Sequence, residues 1–329
     1  MLKILVTGGA GFIGFHLAKK LSENSSNTIC IADNLKRGRT DEDFEQLLLK
    51  PNVEFYNVDL TNIDSMKVIW NNYDEVYHLA AIVGVKHCTR DPAGVLNSNI
   101  KSTMNIIQLV IENQCKKLVF SSTSETYAGG FELGIVKIPT DEIVPLCILD
   151  IKNPRFSYAV SKIAGEQMVI FNSQDKYRFS IVRYHNIFGP RMGYAHVIPE
   201  ILKRIYQREK PFKIPGFDQT RSFCYVEDAV SQTIACMESH AADGEILHIG
   251  NNQEEIMIKD LVKKIFNLVD YNVDTLEVLA PLGSVTRRCP NISKLVNLTA
   301  TNPKITLDEG LKRTVEWYWK QLEGGDIWE

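Results

Sequence analysis

Thr7-Gly8-Gly9-Ala10-Gly11-Phe12-Ile13-Gly14 follows a β-branched run, Lys3–Thr7, and opens an amphipathic stretch, Gly11–Glu23. Gly8, Gly11 and Gly14 give the spacing G-x-x-G-x-x-G. Glycines let a backbone turn tightly and approach a pyrophosphate, while the helix after them presents free N–H groups and a positive dipole to it. A glycine triplet alone says little, but between a strand and a helix it is a variant of the dinucleotide fingerprint. The reading places Gly8, Gly11, Phe12, Ile13 and Gly14 against a dinucleotide.

Outward from that loop, the first half alternates short β-branched runs with longer amphipathic ones, the pattern of βαβ units on a parallel sheet. Strands are expected at Lys3–Thr7, Thr28–Ala32, Val53–Val58, Glu75–Leu79, Lys117–Ser121 and Ser180–Tyr184, with one more at Glu245–Ile249. Helices are expected at Gly11–Glu23, Asn62–Trp70, Val95–Glu112, Ser157–Asn172, Lys259–Leu268 and Leu307–Lys320. After Tyr184 glycine and proline cluster at Gly189-Pro190, Pro199, Pro211 and Pro215-Gly216, which reads as loops over a site. The fold class is therefore α/β, a Rossmann-type doubly wound parallel sheet with a smaller, partly interleaved C-terminal substrate domain. Residues 1–183 plus about 224–250 form the first unit, and about 184–223 plus 251–329 the second.

The 329 residues carry 37 Lys+Arg against 40 Asp+Glu, a formal charge of −3, with 44% hydrophobic residues. That is ordinary globular composition, without the basic footprint of a nucleic-acid or anionic-membrane binder. No apolar run approaches the roughly 18 residues of a membrane span. The N-terminal apolar run enters glycines at once, so no signal peptide is expected. The 7 cysteines are scattered, with no Cys-x-x-Cys pair, as expected of a reduced, cytoplasmic protein.

Asp33, 19 residues after Gly14, ends the second strand beside Asn34. An acidic side chain there accepts from the adenosine ribose hydroxyls and repels a 2′-phosphate, so NAD is favoured over NADP, although Arg37 and Arg39 lie close behind. Asp59-Leu60 ends the third strand where an adenine would lie, and Asp59 is also a candidate N-cap for the Asn62 helix. Leu79, Ala80 and Ala81 leave room for the cofactor after the fourth strand, while His78 reads as a packed strand-end histidine. Tyr158 and Lys162, at i and i+4, share a helix face. A phenol has a reference pKa of about 10. A neighbouring ammonium and a cationic nicotinamide favour the phenolate, which then takes a proton from a substrate hydroxyl. Lys162 also holds the nicotinamide ribose. Ser121-Ser122-Thr123-Ser124-Glu125 sits at a strand's carboxyl end, where open α/β sheets bind ligands, and Thr123 is placed to bridge Tyr158 and the substrate.

Together these motifs resemble the extended short-chain dehydrogenase/reductase family, in particular its nucleotide-sugar epimerases, dehydratases and decarboxylases. Arg183-Tyr184-His185-Asn186-Ile187-Phe188-Gly189-Pro190-Arg191 is similar to that family's R-Y-x-N-x-x-G-P segment, with His185 in place of the usual aromatic. The resemblance implies a nucleotide-sugar substrate held by Ser124, Asn186, Arg191, Arg221 and Arg288, and Asn99 behind the active-site helix on the cofactor side. It also implies NAD as cofactor, a homodimer or higher homo-oligomer, no metal, and oxidation of the sugar at carbon 4. Thr123-Ser124-Glu125 resembles GDP-mannose 4,6-dehydratases and UDP-glucuronate decarboxylases more than 4-epimerases, with Glu125 a base for carbon 5 chemistry. The favoured expectation is therefore 4-ketosugar formation, of 4,6-dehydratase or C4-dehydrogenase type. A 4-epimerase, a UDP-glucuronate decarboxylase and a non-catalytic dinucleotide sensor are the alternatives.

Overall fold

The structure is a computed structural model that describes residues 1–280 and 285–325. Six strands, β1 (Lys3–Thr7), β2 (Thr28–Asp33), β3 (Val53–Asn57), β4 (Glu75–His78), β5 (Lys117–Thr123) and β6 (Arg178–Tyr184), join the Glu245–Ile249 strand in one seven-stranded sheet. Every pairing in it is parallel, in the order Glu245–Ile249, β6, β5, β4, β1, β2, β3. The order reverses between β1 and β4, so a crevice opens at their carboxyl ends. The glycine loop and Leu79–Ala81 stand there.

Alternation along β1 shows why the sheet is buried on both faces. Ile4 and Val6 point into one apolar cluster with Phe15 and Leu17 of the helix α1 (Phe12–Leu21). Leu5 points the other way, into a cluster with Ile106, Leu109 and Val110 of the Pro92–Glu112 helix. Each such fully buried side chain contributes about 1.5–3 kcal/mol. The Pro92–Glu112 and Ser157–Ser173 helices pack together on that second face, which fixes the face of Tyr158 and Lys162 against β5.

Strands and long helices match the sequence expectation to within three residues at either end. The expected Asn62–Trp70 helix does not form. Only a 3₁₀ turn, Ser65–Ile69, is present. Asn62 Oδ1 instead accepts from the Asp64 and Ser65 amides, at 2.9 and 3.2 Å, and Asp59 Oδ1 accepts from the Thr61 amide at 2.9 Å. Short polar side chains here compete with the helical ladder for its donors. Asp59 is thus not a helix N-cap. Helices at Glu42–Leu48, Val85–Arg90, Val197–Tyr206, Val226–Glu238 and Ser293–Thr299 were not anticipated.

Beyond β6, a three-stranded sheet sets Thr220–Ser222 between the antiparallel Glu255–Met257 and the parallel Arg287–Arg288. Its register aligns Arg221 with Arg288.

Candidate active site

The glycine loop is built for close approach. Gly8 has φ +72°, and a Cβ there would stand 2.8 Å from the Ala80 amide nitrogen. A Cβ at Gly14 would strike the Gly8 carbonyl oxygen. The Gly11 amide closes the turn onto Gly8 O at 3.1 Å, and the α1 N-terminus has no side-chain cap. Uncapped N–H groups beside a bare loop suit a pyrophosphate. Phe12 and Ile13 are half-buried at this end. Gly14→Ala is expected to cost about 1–3 kcal/mol of stability and to abolish measurable NAD binding, read by thermal melts with and without NAD and by fluorescence titration.

Asp33 is buried, with Oδ1 accepting from the Leu35 amide at 2.8 Å and Oδ2 from the Ala10 amide at 3.1 Å. Burial pushes its pKa up, against the pull of those two donors. The side chain therefore lies at the loop edge, held there by the Ala10 and Leu35 amides. Asn34 Oδ1 accepts from the Lys36 amide at 3.1 Å, and Lys36 Nζ reaches Asp59 Oδ2 at 3.0 Å. Leu60 is core. Ala80 donates its amide to Thr7 Oγ1 at 3.2 Å, leaving Leu79 and Ala81 half-buried along the crevice. His78, fully buried, bonds Thr7 Oγ1 at 2.8 Å, as a packed strand-end histidine does.

Two expected ligand-binding residues bond within the protein, although Arg191 Nε is left buried with no hydrogen-bond partner. Asn99 accepts from the Ile82 amide at 2.8 Å and donates to Ile82 O and Ser161 Oγ, both at 3.0 Å. Its amide clamps the post-β4 loop to the active-site helix, so Asn99 positions the cofactor cleft without a free group for the cofactor. The buried Arg191 bonds Asp41 and Ala10 O, with its guanidinium 4.0 Å from the Phe15 ring centroid. Arg191 therefore braces the glycine loop and is not brought to the other arginines. The motif placed the residue correctly in sequence, but its φ of +70° turns it back toward the loop.

Lys162 is buried, and its Nζ donates to Ser121 O at 2.7 Å and to Ser121 Oγ at 3.3 Å. It stands 5.9 Å from the Tyr158 ring centroid. The ammonium is thus anchored on β5 and not bonded to the phenol. Burial, and then Glu125, raise the Tyr158 pKa, opposed by Arg37 and by a hydrogen bond with Thr123. Burial thus opposes the phenolate that an ammonium and a cationic nicotinamide would together favour. Burial pulls Lys162 down to about 7, with Glu166 opposing. Glu166 is itself held by a buried ion pair with Arg183 at 2.8 Å and by Ser122. Sequence reasoning missed Glu166, although its i+4 spacing from Lys162 signals the shared face.

A lysine whose folded pKa lies below its unfolded value penalises the fold fully below that folded pKa, and the penalty fades as pH rises toward the unfolded value. The stability of the wild type relative to Lys162→Met is therefore expected to rise between pH 7 and about 10. Urea midpoints of both proteins at pH 7 and pH 9 check it, and a constant difference contradicts the buried ammonium.

Glu125 pairs with Arg288 of the three-stranded sheet. Its Oε1 accepts from Arg288 Nη1 at 2.7 Å, and the same nitrogen lies 3.4 Å from Ser124 Oγ. Burial pushes the Glu125 carboxyl up, but Arg288, Arg155 and Arg221 outweigh it and hold it below the usual range. Arg288 Nε is buried with no hydrogen-bond partner. Arg221 spans Thr220 O at 2.7 Å and Gln219 Oε1 at 2.8 Å, and burial with Arg288 nearby pulls its pKa down to about 10. Arg155, from the Pro154-Arg155-Phe156-Ser157-Tyr158 segment whose sequence resembles that of bacterial UDP-glucuronate decarboxylases, also acts on Glu125. Asn186, at φ +42°, donates to Ser222 O at 3.1 Å beside Arg221. Among the described residues, no helix is long and apolar enough to cross a membrane, and no three His, Cys, Asp or Glu side chains could hold a metal.

The sequence model described as NAD dependent epimerase/dehydratase family matches residues 4–250. The chain belongs to that family. It is an NAD-dependent enzyme of nucleotide-sugar chemistry, with the Rossmann-like sheet of its relatives. It is 32% identical, over 96% of this chain and 97% of the relative, to a UDP-N-acetyl-α-D-glucosaminuronate decarboxylase of Bacillus cytotoxicus. It is also 32% identical, over 97% of each, to a UDP-glucuronate 4-epimerase of Thermodesulfobacterium geofontis. Among solved structures, the UDP-glucuronic acid 4-epimerase of Bacillus cereus, in complex with UDP-glucuronic acid and NAD, matches with a TM-score of 0.84. That match has 26% identity and covers 98% of this chain and 100% of the other. Members of this family thus include a decarboxylase and a 4-epimerase, two of the alternatives left open by the sequence.

Proposed function

We propose that the enzyme oxidises carbon 4 of a UDP-linked uronic acid sugar and releases its carbon 6 carboxylate as CO₂. The observation that carries this reading is the Glu125–Arg288 ion pair, with Arg221 in register beside it. Three guanidinium groups around one carboxylate suit a ligand with a diphosphate and a further acid group. The partnerless Nε of Arg288 is a donor for that acid group.

NAD, when bound, supplies the acceptor for the carbon 4 hydrogen and a cationic ring that lowers the Tyr158 pKa. Tyr158 takes the carbon 4 hydroxyl proton, aided by its hydrogen bond with Thr123. The product is a β-keto acid. The carbon 5–carbon 6 bond then breaks, its electron pair passes to the carbon 4 oxygen, and the Tyr158 and Thr123 hydroxyls hold that enolate. Carbon 5 takes a proton of solvent origin, which leaves a UDP-linked 4-keto pentose and the carbon 4 hydrogen with the nicotinamide. Glu125, held ionised by Arg288, Arg155 and Arg221, fixes Arg288 beside the carboxylate that departs as CO₂. A 4,6-dehydratase needs an acid for the departing hydroxyl. Glu125 is held ionised and Ser124 stands beside it, so the dehydratase preference read from the sequence gives way to the decarboxylase.

Incubation of the holoenzyme with UDP-glucuronate in heavy water tests this. Loss of CO₂ with one deuterium at carbon 5 is expected. Inversion at carbon 4 with the carboxylate retained would make it a 4-epimerase, and an accumulating 4-keto acid a plain dehydrogenase. We infer also that residues 1–183 with about 224–250 bind NAD, and that about 184–223 with 251–329 bind the sugar nucleotide; residues 281–284 and 326–329 lie outside the described residues. Met104 and Phe171 stand exposed on the paired Pro92–Glu112 and Ser157–Ser173 helices, apolar groups suited to a homodimer face, for which sedimentation is the check. The cysteines are all unpaired, as in a cytoplasmic enzyme.

A further inference from the structure

His185 occupies a position where the family segment carries an aromatic ring, and its imidazole is fully buried together with Tyr127 and His248. The Tyr127 hydroxyl lies 2.7 Å from His185 Nε2 and 3.2 Å from His248 Nε2. The two imidazoles meet edge to face with centroids 4.5 Å apart. His248 Nδ1 lies 3.3 Å from Asn291 O. His185 Nδ1 is buried with no hydrogen-bond partner.

The bonds define a chain of donors. Burial pulls His248 down to about 3 and His185 well below its usual value, so each ring carries one N–H. With Nδ1–H of His248 donated to Asn291 O, its Nε2 accepts from the Tyr127 hydroxyl. The hydroxyl oxygen accepts from His185 Nε2–H. The leftover is then a bare nitrogen lone pair on His185, a smaller burden than a stranded N–H.

Each member belongs to a different segment, and three of those segments carry substrate-side residues. Tyr127 ends the Ser124–Tyr127 turn that holds Glu125. His185 directly precedes Asn186. Asn291 lies three residues past Arg288, on a stretch tied to Thr140 by Thr140 N to Cys289 O at 3.0 Å and Asn291 N to Thr140 O at 2.7 Å. His248 is fixed on the edge strand, its amide donating to Glu142 Oε1 at 3.1 Å. None of these bonds reaches Gly8, Asp33 or Lys162.

We propose that Tyr127, His185 and His248 form a buried positioning network that sets Glu125, Asn186 and Arg288 at fixed distances from one another. It rests on the substrate-side roles given to those three residues above. A network of this kind acts on the sugar-nucleotide half and leaves the NAD half alone. Satisfied buried polar groups specify one arrangement where apolar packing tolerates several.

Tyr127→Phe deletes one oxygen, and His185→Phe keeps a ring while deleting both nitrogens. Each is titrated calorimetrically with UDP and, separately, with NAD, and assayed with UDP-glucuronate. NAD affinity should stay within about twofold of wild type, UDP affinity should fall about tenfold, and kcat should fall roughly ten- to a hundredfold, the cost of a small misplacement. The double variant replaces both polar partners with apolar rings and should regain most of the thermal midpoint, yet neither UDP affinity nor kcat. Recovery of all three together, or single variants that lose stability while keeping UDP affinity and kcat, would reduce the network to core packing and overturn the proposal. If Tyr127→Phe does not fold, His248→Phe serves, since it keeps a ring and removes both the Tyr127 and Asn291 bonds. UDP and NAD binding are read without turnover. A wild type that binds both but leaves UDP-glucuronate unchanged therefore refutes the assigned reaction, while the UDP titrations still decide the network.

Discussion

Tyr158→Phe is expected to bind NAD and UDP with near wild-type affinity and to turn over roughly a hundred- to ten-thousandfold more slowly, the range for a lost general base. The ring keeps its place against the Lys162 face and only the hydroxyl disappears. Lys162 retains both bonds to Ser121, so its position does not depend on the phenol. Single-turnover absorbance of the reduced nicotinamide isolates carbon 4 oxidation from later steps. Turnover within tenfold of wild type would remove Tyr158 from the proton transfer.

Glu125→Gln should separate carbon 4 oxidation from the loss of carbon 6. The amide keeps the shape and can still accept from Arg288, but the negative charge is gone. Oxidation is expected to persist in a single turnover while CO₂ release slows roughly ten- to a hundredfold, the cost of a misplaced Arg288. The uncompensated Arg288, only 9% exposed, should also lower the thermal midpoint. If CO₂ release keeps its rate, the Glu125–Arg288 pair has no part in the loss of carbon 6. An epimerase predicts a different pattern, with a modest loss of turnover and no deuterium at carbon 5 in either protein.

The βαβ half was legible because its signals are local. Ile4, Leu5 and Val6 alternate between two buried faces, Gly8 to Gly14 announce a tight turn, and Tyr158 to Lys162 is one helical repeat. The Val226–Glu238 helix was missed because no side chain caps it, and its Val, Thr and Ile residues read as strand. In Val197–Tyr206, Pro199 suggested a loop, although a proline in the first turn of a helix costs no hydrogen bond. The pairing of Glu125 with Arg288 spans 163 positions, and no spacing rule reaches across it. Family likeness placed Arg191 and Asn99 in the correct segments but could not say that Asp41 and Ile82 would claim their polar atoms. Sequence located the site, and long-range side-chain pairing decided which atoms remain free within it.

The Glu245–Ile249 strand lies directly beside β6, yet 60 residues separate the end of one from the start of the other. The chain therefore leaves the sheet after Tyr184, builds the Asn186 and Arg221 surfaces, and re-enters at the adjoining lane through the Val226–Glu238 helix. Such an excursion is a cassette with both ends soldered to one frame. Exchange of residues 185–223 between relatives is expected to redirect which sugar is gripped, provided that Arg191 and its bonds to Asp41 and Ala10 O at the glycine loop are kept. A truncation at residue 183 instead strips the outer lane away and leaves β6 as a raw edge, open to pairing with other chains.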